Sequence, residues 1–205
     1  MPSIAALRSI TRQATTEFCQ AGGGVASRLR NSRHMLQFAA TNAAHPARIM
    51  RGADAYSSAV TTSRRVFTET RPEDITDAFR HTYASALMTQ RVHAGGTPPD
   101  TTLRFVRRLG QAHERDSGLT GLAATQATHM DLHNNELGMR IAAAAGPRVT
   151  EPQLLRSVLG ALADGRALVR RDLGAAYELS GATRASRRDE LVTALTVQSR
   201  TLLHG

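Results

Sequence analysis

The sequence predicts an all-α protein, a compact bundle of six to eight helices with a less ordered N-terminal segment. Three observations lead there. Apolar residues recur at helical spacing along most of the chain after residue 50. The stretches between them carry helix-end signals, with Thr or Asp before a run and Gly after it. No run alternates convincingly with period two, so no sheet is expected.

Taken in chain order, the first fifty residues stand apart from residues 51–205. Up to Ala53 the only acid is Glu17, whereas Arg8, Arg12, Arg28, Arg30, Arg33, Arg48 and Arg51 carry positive charge. An Arg-rich, Ser-rich, acid-poor start matches an organelle transit peptide, or a signal for direct translocation out of a bacterium. It has no apolar core of the kind a secretory signal peptide needs. The alternative is a weak surface helix over Ser3 to Phe18, a hinge at Ala21-Gly22-Gly23-Gly24, and a second helix.

The helical domain follows. Thr70-Arg71-Pro72-Glu73-Asp74 combines a capping Thr, an early Pro and first-turn acids, and predicts a helix running to about Val92, ahead of Gly95-Gly96. A second begins near Asp100, carries Leu103, Val106, Leu109 and His113 at helical spacing, and ends at Ser117-Gly118. Met130 to Ala145 reads as a third, closed by Gly146-Pro147. Thr150-Glu151-Pro152 opens a fourth, with Leu154, Leu155, Val158, Leu159 and Leu162 as its apolar face. After Asp164-Gly165 another helix is expected to reach Leu179, and Ser186 starts the last.

Composition removes several functional classes. Of 205 residues, 26 are Lys or Arg and 17 are Asp or Glu, a formal charge of +9; all the basic ones are arginine. The absence of lysine fits the codon bias of a GC-rich genome, and also a protein that works inside a eukaryotic cell, where lysines accept ubiquitin. One cysteine, Cys19, excludes an internal disulfide, a Cys-rich zinc site or a Cys-x-x-Cys redox pair. No segment is long and apolar enough to span a bilayer. Aromatics at 4% argue against a base-stacking platform. The pairs Arg64-Arg65, Arg107-Arg108, Arg170-Arg171 and Arg187-Arg188 are scattered over different helices, so nucleic acid is not the expected partner. The Gly-x-Ser-x-Gly elbow, the P-loop and the Rossmann fingerprint are absent.

Three clusters carry candidate chemistry. Asp77 and His81 lie one turn apart on one helix face. His113 is in register with Val106 and Leu109 and is expected to point inward, with Glu114 about 100° around the same turn. Asp131 and Asn134 share a face at the start of the third helix, with Asp131 a candidate N-cap, and His133 aligns with Leu137 and Ile141. Helical bundles build internal metal sites from inward His and carboxylate groups on several helices. Imidazole with carboxylate suits a divalent transition metal, Zn²⁺ first, and the lack of thiolates argues against a closed structural zinc. The candidate ligands are Asp77, His81, His113, Asp131 and His133. Glu114 is the candidate acid–base, and Asn134 a further catalytic candidate, since an Asn pair inside a helix needs a reason. Read singly, each cluster is also an ordinary helix-stabilising pair, cap or core histidine. His34, His45, His93, His129 and His204 read as surface or loop residues.

Together the ordered motifs Asp77-Ala78-Phe79-Arg80-His81, Ala112-His113-Glu114 and Met130-Asp131-Leu132-His133-Asn134-Asn135 resemble an uncharacterised bacterial domain family over about residues 74 to 145. Its members often look like C-terminal modules of large secreted or toxin-like proteins. The resemblance brings no established reaction. It implies that the clusters travel together and that a secreted or translocated setting fits. The expectation is therefore an effector or toxin, a metal-dependent hydrolase acting on an anionic substrate such as phospholipid or another phosphodiester. Two alternatives stand beside it: a non-catalytic helical module that binds a host protein or anionic surface, and a peptidoglycan hydrolase using Glu114 as its acid.

Overall fold

The computed structural model describes residues 33–67, 75–115, 121–172 and 175–178. Six helices account for most of them: α1 (Arg33–Thr41), α2 (Pro46–Val66), α3 (Ile75–Ala94), α4 (Pro99–Arg115), α5 (Gly121–Ala145) and α6 (Glu151–Ala163). The all-α expectation holds. The helices expected over Ser3 to Phe18 and from Ser186 lie outside the described residues, as does Cys19.

The organising element is α3, which is buried on all sides: Ala78, Phe79, Tyr83, Ala86, Leu87 and Val92 are at most 1% exposed. A helix enclosed on every face shows no single apolar stripe. Its threonines therefore need internal partners, and Thr82 and Thr89 donate their hydroxyls to the carbonyls of Ala78 and Ser85, both at 2.8 Å. Phe79 stacks on Tyr83 at 5.3 Å and meets Phe67 edge-on at 5.4 Å. On the far side of the bundle Tyr83 donates to Glu151, which also accepts from Arg91 at 2.9 Å, while Arg91 reaches Asp54 as well. That network ties α3 to α2 and α6.

Against α3 lies α5, and the two approach so closely that a Cβ on Gly138 would collide with the Thr82 carbonyl oxygen. This is what the glycine contributes. Around them, α4 buries Thr102, Phe105, Val106, Leu109 and Ala112. Phe38 of α1 packs on Phe105 at 5.2 Å, so the core takes in helical structure from before residue 50. The start of α6 is fixed by its expected cap: the Thr150 amide donates to Gln153 Oε1 at 3.0 Å, half of a capping box.

Two local expectations fail. The segment expected to be helical up to Leu179 instead forms an antiparallel pair, β1 (Leu168–Asp172) and β2 (Ala175–Glu178), with Leu168 opposite Glu178 and Val169 opposite Tyr177. Ala, Leu and Arg in this stretch suit a helix, yet a tertiary partner overrides them. The Asn134 side chain donates to Leu168 O and accepts from Leu168 N, both at 2.9 Å, and so pairs with β1 as a neighbouring strand would. Gly165, at φ 69°, turns the chain out of α6 toward it. The second failure concerns Asp131. It is no N-cap, because α5 begins at Gly121 and places Asp131 well inside the helix. The weak helix formers Thr125, Thr128 and His129 hid that first half.

Candidate metal and acid–base centre

Three helices run side by side at the site, and matched i, i+4 pairs set two layers. On α3 the pair is His81 and Ser85; on α5 it is Asp131 and Asn135; on α4, which runs the opposite way, it is Glu114 and Gly110. The upper layer is neutral: Ser85 donates to Asn135 Oδ1 at 2.9 Å, and Gly110 leaves room for the Asn135 amide, which a Cβ would meet at 3.0 Å. The lower layer is ionisable, and Asp77 joins it from one turn earlier on α3.

His81 is the hub. Its Nε2 lies 3.4 Å from Asp77 Oδ1 and 3.5 Å from Asp131 Oδ1, and its Nδ1 lies 3.9 Å from Glu114 Oε1. Asp77, His81 and Asp131 each offer one ligand atom, all within 4.8 Å of one another. These separations are long for good hydrogen bonds. Two of them, from His81 Nε2 to Asp77 and to Asp131, match the edge of a tetrahedron around a cation with bonds of ~2.1 Å, which is ~3.4 Å. Moreover, Asp131 Oδ1 and Glu114 Oε1, both facing His81, are buried without a hydrogen-bonding partner among the described residues. Buried carboxylate oxygens left so are costly and call for a proton, a water or a metal.

The electrostatics divide the carboxyls. Burial pushes Glu114 up to about 7, helped by the charge of Asp77 and opposed by its hydrogen bond with Asp131. Burial also raises Asp131, to about 8; His81 opposes this, while Glu114 and Asp77 add to it. The two share a hydrogen bond and titrate as a pair near neutrality. Burial would raise Asp77 too, but the bond and charge of His81 and the Arg80 guanidinium hold it below its usual value. Burial would lower His81; Asp131 and Asp77 outweigh it, and the imidazole holds its proton more tightly than usual.

Of the residues predicted from sequence, Asp77, His81, Glu114 and Asp131 converge. Three do not join them as expected. His113 is exposed, whereas its neighbour Glu114 is the buried one at 6%. The side of α4 that Gly110 presents to α5 continues at Glu114, one turn on, and this decides which of the two turns inward. The His113 ring still flanks the site, 6.2 Å from that of His81 and 6.1 Å from Tyr56. His133 is half-buried and bonds the Arg166 carbonyl oxygen at 3.0 Å, away from the cluster. Asn134 has both amide atoms engaged at Leu168, which gives it a structural role in place of the catalytic one expected.

Sequence reasoning did not single out Tyr56, Arg80, Ser85 or Asn135 as a set. Tyr56, whose hydroxyl is held protonated by burial against the surrounding carboxylates, lines a cleft of about 30 Å³ together with Met88, Leu109, His81 and His113. That is room for roughly two waters next to the hub. The parallel spacing of the pairs 81/85, 110/114 and 131/135 was the available signal.

The sequence model of a domain of unknown function, DUF6973, matches residues 39–166, a span that contains all six helices except the start of α1. No curated protein and no solved structure matches the chain.

Proposed function

The chain belongs to the family of that domain of unknown function, DUF6973, and we propose that it is a metal-dependent hydrolase acting on an anionic substrate, a phospholipid or another phosphodiester. The observation that carries this reading is the convergence of Asp77, His81 and Asp131, where buried oxygens of Asp131 and of the adjacent Glu114 meet no N–H or O–H donor among the described residues. The three residues would hold a divalent transition metal, zinc first, given one imidazole and two carboxylates. Such an ion would supply Lewis-acid activation of water at neutral pH. Glu114, poised at about 7, would take and return the proton. Arg80, a third exposed beside Asp77, and the charge of +9 favour an anionic substrate. The Arg-rich, acid-poor start and the absence of lysine support delivery as a secreted or translocated bacterial effector or toxin.

A metal-free reading has one observation in its favour, the protons that Glu114 and Asp131 retain near neutrality, which suit a general acid. Against peptidoglycan cleavage, two carboxyls in mutual hydrogen bond are too close to flank a glycosidic bond, which needs ~5 Å or more. The test is turnover of bis(4-nitrophenyl) phosphate, a labelled phospholipid and peptidoglycan by the full chain with and without Zn²⁺. Metal-dependent phosphodiester turnover that Glu114→Gln abolishes is expected. Chelator-insensitive clearing of peptidoglycan would favour the acid-only reading, and no turnover of any of them the non-catalytic module.

A further inference from the structure

Arg80 holds an unusual position. Its Nη2 bonds Asp77 Oδ1 and lies 3.4 Å from His81 Nε2, so it sits against two of the three residues of the candidate ligand set, on atoms that each could offer a cation. A cation bonded to those atoms at ~2.1 Å would share its space and repel it. We propose that Arg80 is a built-in cationic latch: its guanidinium stands in for the divalent ion, must leave Asp77 for that ion to bind, and then serves as the anion-binding fork beside the site. This deepens the metal-site reading and rests on it.

The side chain can make that move. Asp77 and His81 side chains are 7% and 8% exposed, but that of Arg80 is 35% exposed, so it reaches inward from the solvent side and can swing back. Arginine keeps its charge at any accessible pH, so the latch does not open by losing a proton; only a competing cation or anion displaces it. Its planar donors match the oxygens of a phosphate group once released. An ordinary i, i+3 ion pair makes a different prediction, since removing it would loosen α3 and weaken every ligand alike.

The test therefore looks for effects of opposite sign. Zn²⁺ affinity of the full chain is measured by calorimetry for the wild type, Arg80→Met and Arg80→Gln, with folding followed by circular dichroism. Loss of a charge-assisted bond that competes with the ion is expected to tighten Zn²⁺ by about tenfold or more in both variants. Inorganic phosphate, titrated into the zinc-loaded proteins, is expected to bind the variants at least about tenfold more weakly than the wild type. Equal or weaker Zn²⁺ binding in the variants overturns the latch while leaving the metal site standing. Tighter Zn²⁺ with unchanged phosphate overturns the fork. If no protein binds Zn²⁺, the latch and the metal-site reading fall together. Should both variants misfold, the Arg80 Nε–H resonance of the wild type gives the answer: it is expected to shift on Zn²⁺ addition, and an unmoved signal overturns the proposal.

Discussion

Lowering the pH from 8 to 5 should stabilise the metal-free protein. Glu114 moves from 4.5 in the unfolded chain to about 7 in the fold, and Asp131 from 3.8 to about 8. A carboxyl whose folded value is raised contributes stability at low pH and loses it as pH rises from the unfolded value through the folded one. His81, raised by Asp131 and Asp77 against its burial, works in the same direction: its contribution is full below 6.5 and fades above. Asp77, lowered, opposes them only below about pH 4, where its own stabilising charge is lost. For Glu114 alone the difference is worth about 3 kcal/mol at pH 8. Glu114→Gln keeps the shape and removes the charge, so it should raise stability at pH 8 by up to about 3 kcal/mol and change it little at pH 5. Urea melts of both proteins at the two pH values, in chelator, measure this. A wild type more stable at pH 8 than at pH 5, or a Gln variant destabilised at pH 8, would refute the buried-dyad electrostatics.

Further outcomes follow from the packing. Gly138→Ala drives a methyl group into the Thr82 carbonyl and must part α3 from α5; a loss of about 3 kcal/mol in chemical denaturation is expected, despite the gain in helix propensity. Asn134→Ala strips two bonds from the buried Leu168 backbone and should cost about 2–4 kcal/mol, with faster hydrogen exchange confined to β1. His133→Ala removes one partly exposed bond to Arg166 and should cost about 1 kcal/mol or less while leaving Zn²⁺ affinity unchanged, as calorimetry would show.

Much of the site was legible because its spacings are local. Asp77 and His81 are one turn apart on one helix, and any helix there brings them together. Asp131 was found as a candidate ligand, but its helix was started too late, since Thr and His in the first half of α5 obscured where that helix begins. The choice between His113 and Glu114 could not be read from the stripe of Val106 and Leu109. It depends on Gly110 letting α5 approach, a fact of packing between helices. The Asn134-Asn135 pair did signal a polar requirement, yet its use is divided: one amide pins a strand, the other a neighbouring helix. That strand was itself invisible, because Leu168–Asp172 has helix-forming composition and is held at Leu168 by Asn134, a partner far away in sequence. Arg80 was read only as part of a motif, because its contact with both Asp77 and His81 depends on how the side chains pack on α3.

On the proposed reading, Asp77, His81 and Asp131 form a metal site. Its most direct test is the metal content of the purified full chain after equilibration with Zn²⁺ and removal of excess, beside His81→Ala and Asp131→Asn. About one equivalent per chain, bound with a rise in melting temperature and lost in both folded variants, is the predicted result. No bound metal in the wild type, with a melting temperature that Zn²⁺ leaves unchanged, would contradict it.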